Sequence, residues 1–376
     1  MAVLFTSSLY YPNVGGVESH MKDFADYLKR SGVPTYVLTI HPRSAAGIYN
    51  IRNPAETKGF ERDGILEVRR VGLINVPFLF PTVKLFLTFF IHLPLFLLRH
   101  RDVEVIHAHC SSSLAAGILF GKMLSGRRVF HTQHTPLDFH GTYRSRIMRW
   151  CLRRCDAVFS ISKSVKADIV SYGVPEEKVV LFRNWTDLEK FKIVPGAKEK
   201  LGLEGKFVVH FSGRFIEEKG VRIFAEAYRL LRDDRDIVFM ATGSGPLESF
   251  LKESIPIVKT VSYDELSLYY SAADLFTIPS TYVEGFARVV VEALACGTPV
   301  IGSRTGSIPE EFDETVGVLV EPGNARELAN VIKKYYDSPG ELARLREKVR
   351  PYAERTYSER NAEVIVREYK LSGKGG

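Results

Sequence analysis

The sequence predicts an α/β protein made of two doubly wound halves, and three observations carry that reading. Short apolar runs alternate with amphipathic stretches along the chain, the pattern of parallel strands joined by helical crossovers. That rhythm breaks over residues 184–205, where Pro195, Gly196, Gly202 and Gly205 fall, and restarts at Lys206. The length of 376 residues suits two domains of ordinary size, and 45% hydrophobic with 25% charged residues is the balance of a soluble globular protein.

Residues 1–183 form the expected first domain. Its strands are read at Val3–Leu9, Thr35–Ile40, Leu66–Val71, Val103–His107, Val129–Thr132 and Val158–Ile161, with helices including Val17–Lys29 and Lys163–Tyr172. Residues 184–205 read as a linker. The second domain, 206–354, has strands expected at Phe207–Phe211, Ile237–Ala241, Leu275–Ile278 and Pro299–Gly302. Residues 355–376 read as a charged helix packing back on the first domain. No repeat of 20–50 residues runs through the sequence, which excludes a solenoid. Doubly wound sheets bind ligands beyond the carboxyl ends of their strands, so the two halves are expected to face each other across a deep cleft.

Residues 77–98, PFLFPTVKLFLTFFIHLPLFLL, break the polar rhythm and are long enough to span a bilayer. Spanning would separate two strand candidates, Leu66–Val71 and Val103–His107, that belong in one sheet. Lys84, Thr88 and His92 recur every four residues as a narrow polar stripe in a broad apolar arc. One reading is a helix buried on two sides. The favoured one is an in-plane helix at the lipid interface, assisted by Arg99, Arg101 and the cluster Arg144, Arg146, Arg149, Arg153 and Arg154.

The formal charge of +7 is uneven. Residues 1–183 hold 24 Lys and Arg against 14 Asp and Glu, a net of +10, while the remainder holds 27 against 30, a net of −3. A basic first half points to an anionic partner. Nucleic acid is set aside because no recognition module or aromatic–basic platform is present. Four cysteines without a paired framework indicate a reducing compartment, and Cys151 and Cys155 lack the partners a metal would need. Gln133 is the one glutamine, a depletion of thermolabile amides that hints at a heat-adapted source. Met1 leads directly into an apolar strand with no signal peptide, so the protein is expected in the cytoplasm and Asn184-Trp185-Thr186 is read as a chance sequon.

Three segments carry chemistry suited to a nucleoside diphosphate sugar, whose departing diphosphate, ribose and sugar must each be held. Ser212-Gly213-Arg214-Phe215-Ile216-Glu217-Glu218-Lys219-Gly220 follows the first strand of the second domain, and Arg214 and Lys219 can reach one diphosphate from two sides. Taken alone it also fits an ordinary charged loop. Glu284-Gly285-Phe286-Ala287 follows an apolar strand and opens a helix whose free N–H groups suit an anion. Glu292 lies among Val, Leu and Ala and can accept two parallel bonds from vicinal ribose hydroxyls; the alternative is an Arg288–Glu292 pair on a wet helix face. Gly15-Gly16 allows close backbone approach at a helix start and is not the dinucleotide G-x-G-x-x-G.

His107, His109, His131 and His134 cluster near strand ends. Their spacing is not that of a helical zinc pair, most read as polar residues on a cleft rim, and His134 is placed in the active site. Asp234-Arg235-Asp236 reads as a solvated turn rather than a metal-binding D-x-D, and Gly243-Ser244-Gly245-Pro246 as a tight turn.

In order and spacing these elements resemble the retaining family 4 glycosyltransferases of the GT-B fold. The resemblance runs from the Gly15-Gly16 loop through T-x-H at Thr132–His134, G-R-x(4)-K-G at 213–220 and E-x(7)-E at 284–292 to G-x-P-V-I at 297–301. It implies that Arg214 and Lys219 bind the diphosphate, Glu292 the ribose, and Glu284 the transferred sugar with the N–H groups of Gly285 and Phe286. His134 would lie near the reacting centre. Ala287 stands where the family pattern has a glycine, and still supplies an N–H. The resemblance further implies retention of configuration without a metal or other cofactor, the leaving phosphate taking the acceptor's proton. Tyr11-Pro12-Asn13-Val14-Gly15-Gly16-Val17-Glu18-Ser19-His20 and His107–Ser111 are also similar to the subunit that adds N-acetylglucosamine to phosphatidylinositol. That similarity implies a phospholipid or polyprenyl-phosphate acceptor. The apolar stretch and the basic cluster place the protein at the inner face of the cell membrane, where a monomer or homodimer is expected. The base (UDP, GDP or ADP) and the sugar stay open, as do two alternatives: a sugar-nucleotide epimerase on the same scaffold and a non-catalytic nucleotide-sugar-binding protein.

Overall fold

A computed structural model describes residues 1–12, 15–45, 57–74, 76, 78–137 and 143–371. Asn13, Val14, Pro77, the side chain of Arg144 and residues 372–376 lie outside that set. The chain divides into two compact units, Met1–Asn184 with Glu359–Gly376, and Trp185–Ser358.

The first unit is built on an eight-stranded sheet of β1 (Ala2–Ser7), β2 (Thr35–Ile40), β3 (Phe60–Asp63), β4 (Leu66–Val71), β5 (Val103–Ala108), β6 (Arg128–Gln133), β7 (Ala157–Ser160) and β8 (Val179–Leu181). Its order is β3-β4-β2-β1-β5-β6-β7-β8. Every pairing is parallel except β3 with β4, joined by a tight turn at Gly64. β3 was not expected, because a polar, largely exposed edge strand carries no apolar signal. The chain starts in mid-sheet, moves out on one side, and returns to β5 beside β1, so β1 and β5 flank the switch point. Right-handed crossovers then put Gly16–Arg30 on one face and Pro81–Arg99, Ser111–Ala116 and Tyr143–Arg154 on the other.

The core of this unit is aromatic: Phe5, Phe24, Phe130, Phe159 and Phe182 are fully buried with Tyr369. Tyr369 belongs to the helix Ala362–Leu371, whose return is fixed by a hydrogen bond between its hydroxyl and His107 Nδ1 (2.5 Å) and one from Arg128 Nη1 to its carbonyl.

The apolar stretch forms the helix Pro81–Arg99, among the described residues the one helix long and apolar enough to cross a membrane. It links two strands of one sheet, β4 and β5, and is therefore a crossover and not a span. One side, Leu85, Phe89, Leu93, Phe96 and Leu97, is buried, while Ile91, Leu95 and Leu98 are exposed. The expected polar stripe needs correction. Thr88 faces inward, donating to Lys84 O (2.8 Å) and accepting from Ile74 N (3.0 Å).

The second unit carries six parallel strands, β9 (Phe207–Arg214), β10 (Ile237–Ser244), β11 (Ile257–Lys259), β12 (Leu275–Ile278), β13 (Val300–Ser303) and β14 (Gly317–Val320), in the order β11-β10-β9-β12-β13-β14. The switch point lies between β9 and β12. Residues 185–205 are part of this unit and not a free linker. Trp185 and Phe191 are buried, Arg350 donates to Leu188 O, Phe191 O and Ala295 O, and Lys198 bonds Asp274 at 2.6 Å. The Pro and Gly residues there shape turns that these contacts hold down.

Candidate active site

The residues singled out in the second unit meet where β9 and β12 diverge. β9 ends at Arg214, and the loop after it turns back through Gly220, whose φ of +73° begins the helix Val221–Leu231. A Cβ at Gly220 would stand 1.8 Å from Pro279 O, so only glycine lets this loop lie against the segment following β12. The contact brings Lys219 onto Glu284. Lys219 Nζ donates to both carboxylate oxygens at 2.6 and 2.9 Å, Ser280 Oγ donates to Oε1 at 2.7 Å, and Tyr282 OH donates to Oε2 at 2.8 Å. Those four bonds occupy the acceptor positions of a carboxylate that is 3% exposed. Glu284 is a held group.

Arg214 is exposed at the rim of the same place. Burial and the Glu284 charge push the Tyr282 hydroxyl up, and the Arg214 cation opposes them. No ion pair of Arg214 occurs among the described residues. Gly243 and Gly245 are more than a tight turn: Cβ atoms there would meet Gly213 O at 1.9 Å and the Phe215 backbone at 2.6 Å, so they seat the phosphate-loop candidate.

Glu292 lies on the helix Arg288–Ala295, 3% exposed. Its Oε2 accepts from Tyr270 OH at 3.0 Å and its Oε1 from Tyr263 OH at 3.3 Å. Arg288 Nε approaches Oε1 at 3.8 Å, so the Arg288–Glu292 pair exists, but as a buried contact rather than on a wet face. Arg288 also donates to Trp185 O and Tyr263 OH.

The expected role of Ala287 needs correction. Its N–H donates to Glu311 Oε1 at 2.7 Å, and Ser307 Oγ donates to the same oxygen at 2.6 Å. No hydrogen bond from the N–H of Gly285 or Phe286 occurs among the described residues. Glu311 is 2% exposed, its Oε2 has no hydrogen-bond partner, and burial raises its carboxyl to about 7, with Glu284 adding a little and Ser307, Ala287 and Lys219 opposing. Gly306, with φ of +56°, packs so closely that a Cβ would stand 2.3 Å from Glu284 N. Glu311 thus joins the 306–307 turn to the start of the helix Arg288–Ala295, just after the loop that carries Glu284.

In the first unit, Gly15 caps the helix Gly16–Arg30, and a Cβ there would meet Glu18 Oε2 at 2.4 Å. The Glu18 carboxylate bonds its own backbone N–H, and burial raises its pKa. An anion approaching Gly15-Gly16 therefore meets a carboxylate already at the helix start. His134 is half-buried just beyond β6, with Nε2 3.1 Å from His109 Nδ1. His107 and His131 do not lie on a rim. Both are buried inside β5 and β6 and bonded through both ring nitrogens, His107 to Tyr369 and Thr132, His131 to Ala108 O and Gln133. Asn184 is buried with its side chain bonded to His20, so the sequon is closed to a glycan. Asp234 and Asp236 pair with Lys333 and Lys206 at the surface.

Sequence reasoning gave no role to His20, Ser280, Tyr263, Tyr270, Tyr282 or Glu311. For Ser280 and Tyr282 a signal existed, since polar residues directly after an apolar strand in a parallel sheet face its ligand edge. Glu311 and the two tyrosines come from elements that only tertiary packing brings to the helix 288–295.

Comparison with known proteins fits this geometry. The family profile "Glycosyltransferase Family 4" matches residues 14–190 and "Glycosyl transferases group 1" matches residues 195–356. The chain is 30% identical over 290 residues to an MMP alpha-(1->4)-mannosyltransferase of Mycolicibacterium hassiacum, covering 69% of this chain and 68% of that one. It is 29% identical over 270 residues to a D-inositol 3-phosphate glycosyltransferase of Arthrobacter sp., spanning 64% of either chain. It is 24% identical over 353 residues to the phosphatidylinositol N-acetylglucosaminyltransferase GPI3 subunit of Saccharomyces cerevisiae, covering 86% and 73%. Among solved structures, sucrose-phosphate synthase from Thermosynechococcus elongatus matches with TM-score 0.82 at 22% identity over 100% of both chains. Anabaena HepE in complex with UDP-glucose matches with TM-score 0.74 at 20% identity over 99% of both. These likenesses identify the two units as those of the GT-B fold.

Proposed function

Since the chain belongs to the family 4 glycosyltransferases, we propose that it moves a hexose or N-acetylhexosamine from a nucleoside diphosphate sugar of the UDP type to a membrane lipid. The acceptor atom is a hydroxyl or phosphate oxygen of a phospholipid or polyprenyl phosphate, the configuration is retained, and no metal is needed.

One observation carries this reading: the Lys219–Glu284 pair at the strand ends flanking the switch point, with Arg214 at the end of β9, which leads into the Lys219 loop. Lys219 has three N–H donors and spends two on Glu284. The third, and the five donors of Arg214, suit a diphosphate whose charge grows as the C1–O bond breaks. As a phosphate oxygen draws Lys219 toward itself, acceptor positions on Glu284 open for the sugar hydroxyls, and the N–H groups of Gly285 and Phe286 face the same ligand. Glu292, oriented by Tyr270 and Tyr263, accepts from the ribose diol. His134 of the first unit is assigned to the transferred sugar. The new C1–O bond forms on the face the phosphate leaves, and the acceptor's proton passes to the departing phosphate oxygen. No protein base is required.

The lipid acceptor is supported by the surface of the first unit. Phe78, Phe80, Leu95, Leu98, Met123 and Leu124 are exposed at 103, 76, 49, 67, 56 and 69%. The helix Tyr143–Arg154, on the same face of the sheet, adds exposed Arg146, Arg149, Trp150, Arg153 and Arg154. Apolar side chains beside arginines are the composition of an interfacial anchor on anionic lipid. GPI3, the yeast relative, carries phosphatidylinositol in its name, which agrees.

The test is nucleotide-dependent melting followed by transfer. UDP is expected to raise the melting temperature of the wild type, with GDP and ADP weaker. Glu292→Ala is expected to lose that shift, and Lys219→Ala to lose transfer of labelled sugar to lipid extract. Unaltered nucleotide binding and transfer in both variants refutes the assignment.

A further inference from the structure

The first unit contains five histidines around β1, β5 and β6, and the hydrogen bonds sort them into two kinds. His107 and His131 spend both ring nitrogens on neighbours and are structural. His20, His109 and His134 instead turn toward one another. Their ring centres form a triangle with sides of 5.3 Å (His20–His134), 5.4 Å (His109–His134) and 5.8 Å (His20–His109). One ligand nitrogen from each lies within 4.8 Å of the other two, and His109 Nδ1 is 3.1 Å from His134 Nε2.

Three imidazoles bound to one tetrahedral ion at Zn–N distances of 2.0–2.1 Å hold their ring centres about 5 Å apart. The triangle is within several tenths of an ångström of that closure on each side. We infer that His20, His109 and His134 form a binding site for a borderline divalent ion of the zinc class, and that its occupancy withdraws His134 from the sugar.

Two further features fit a ligand set. Asn184 Oδ1 accepts from His20 Nδ1 at 2.8 Å, which fixes the tautomer with the lone pair on Nε2, the outer-shell device seen around metal-bound histidines. His20 and His109 are buried and His134 half-exposed, giving an ion one side of entry. An all-imidazole set selects zinc, nickel or cobalt and rejects magnesium and calcium, which require oxygen ligands. The fourth position would fall to water or an anionic oxygen.

Metal binding stands on the triangle alone. The inhibitory half rests on the proposed role of His134. Both are tested with the metal-stripped full-length protein. Cobalt(II) is expected to give the intense visible bands of a tetrahedral site. Zinc, titrated against a chromogenic chelator, is expected to bind one ion per chain, with excess magnesium or calcium without effect. His134→Ala removes the bands. Asn184→Leu, whose folding is checked by circular dichroism, weakens zinc by about 10–100-fold and shifts the zinc concentration that halves sugar transfer by the same factor. Absence of zinc binding, a weak octahedral cobalt spectrum, or equal zinc affinity in His134→Ala and wild type overturns the site. Tight zinc binding with undiminished transfer overturns only the withdrawal of His134, leaving the site in place.

Discussion

Glu311 ties the stability of the second unit to pH, and the size of the effect follows from its surroundings. Its carboxyl is raised from 4.5 to about 7, chiefly by burial. The folded protein therefore binds the proton more tightly than the unfolded chain. Between pH 4.5 and 7 the folded state carries more protons, so stability is full below that window and falls as pH rises through it. At 1.36 kcal/mol per pH unit the loss amounts to about 3 kcal/mol. In Glu311→Gln the amide carbonyl can still accept from Ala287 N and Ser307 Oγ, but the titration is gone. The amide NH2 then sits where Oε2 lacked a partner, a pH-independent penalty of about 1–3 kcal/mol. The slope, not the level, is therefore diagnostic. The two tryptophans divide between the units, Trp150 in the first and Trp185, 1% exposed, in the second. Urea unfolding followed by fluorescence in a Trp150→Phe background thus reports the second unit. The wild type is expected to lose about 3 kcal/mol between pH 4.5 and 8 and the Gln variant much less. Parallel pH profiles for the two would refute the buried titration.

Lys219→Ala is expected to lower turnover by about 10²–10³-fold, while Lys219→Arg restores part of it; initial rates of sugar transfer decide. Glu292→Gln removes a charged acceptor and is expected to weaken UDP by about 1.5–3 kcal/mol, read by calorimetry, with Tyr270→Phe showing a smaller effect. Gly220→Ala forces a side chain into positive φ and onto Pro279 O, so a loss of more than about 1–2 kcal/mol is expected in the same urea assay. Binding to anionic vesicles is expected to fall roughly fivefold for each of Arg146→Ser and Arg153→Ser, about 1 kcal/mol apiece, and to be abolished in Leu95→Glu/Leu98→Glu; sedimentation measures it, and equal binding to neutral vesicles would count against the interfacial surface.

Much of the fold was legible because parallel α/β architecture writes itself locally. An apolar run such as Val103–Ala108 is buried on both faces, and an amphipathic run such as Gly16–Arg30 has one wet side. The motif residues were legible for a related reason. Arg214, Lys219 and Glu284 follow strand ends, where a doubly wound sheet presents its ligand edge. The edge strand β3 escaped because its residues face water. The linker was misjudged because turn residues report backbone shape and say nothing about what packs on them: Arg350 and Asp274, distant in sequence, hold residues 185–205 in the second unit.

Alternation of apolar and amphipathic segments, the spacing of Glu284 and Glu292, and the glycines beside Arg214 were properties of the sequence by itself, since each depends on residues within a few turns of one another. Only the tertiary structure decided which polar groups were already spoken for. Glu284 is saturated by Lys219, Ser280 and Tyr282, the Ala287 N–H is taken by Glu311, and Thr88 points inward. The same long-range packing divided five similar histidines into two structural ones and a converging three. A side chain's hydrogen-bonding capacity is fixed by its chemistry, but its partners come from chain segments up to hundreds of residues away, and no local pattern encodes that.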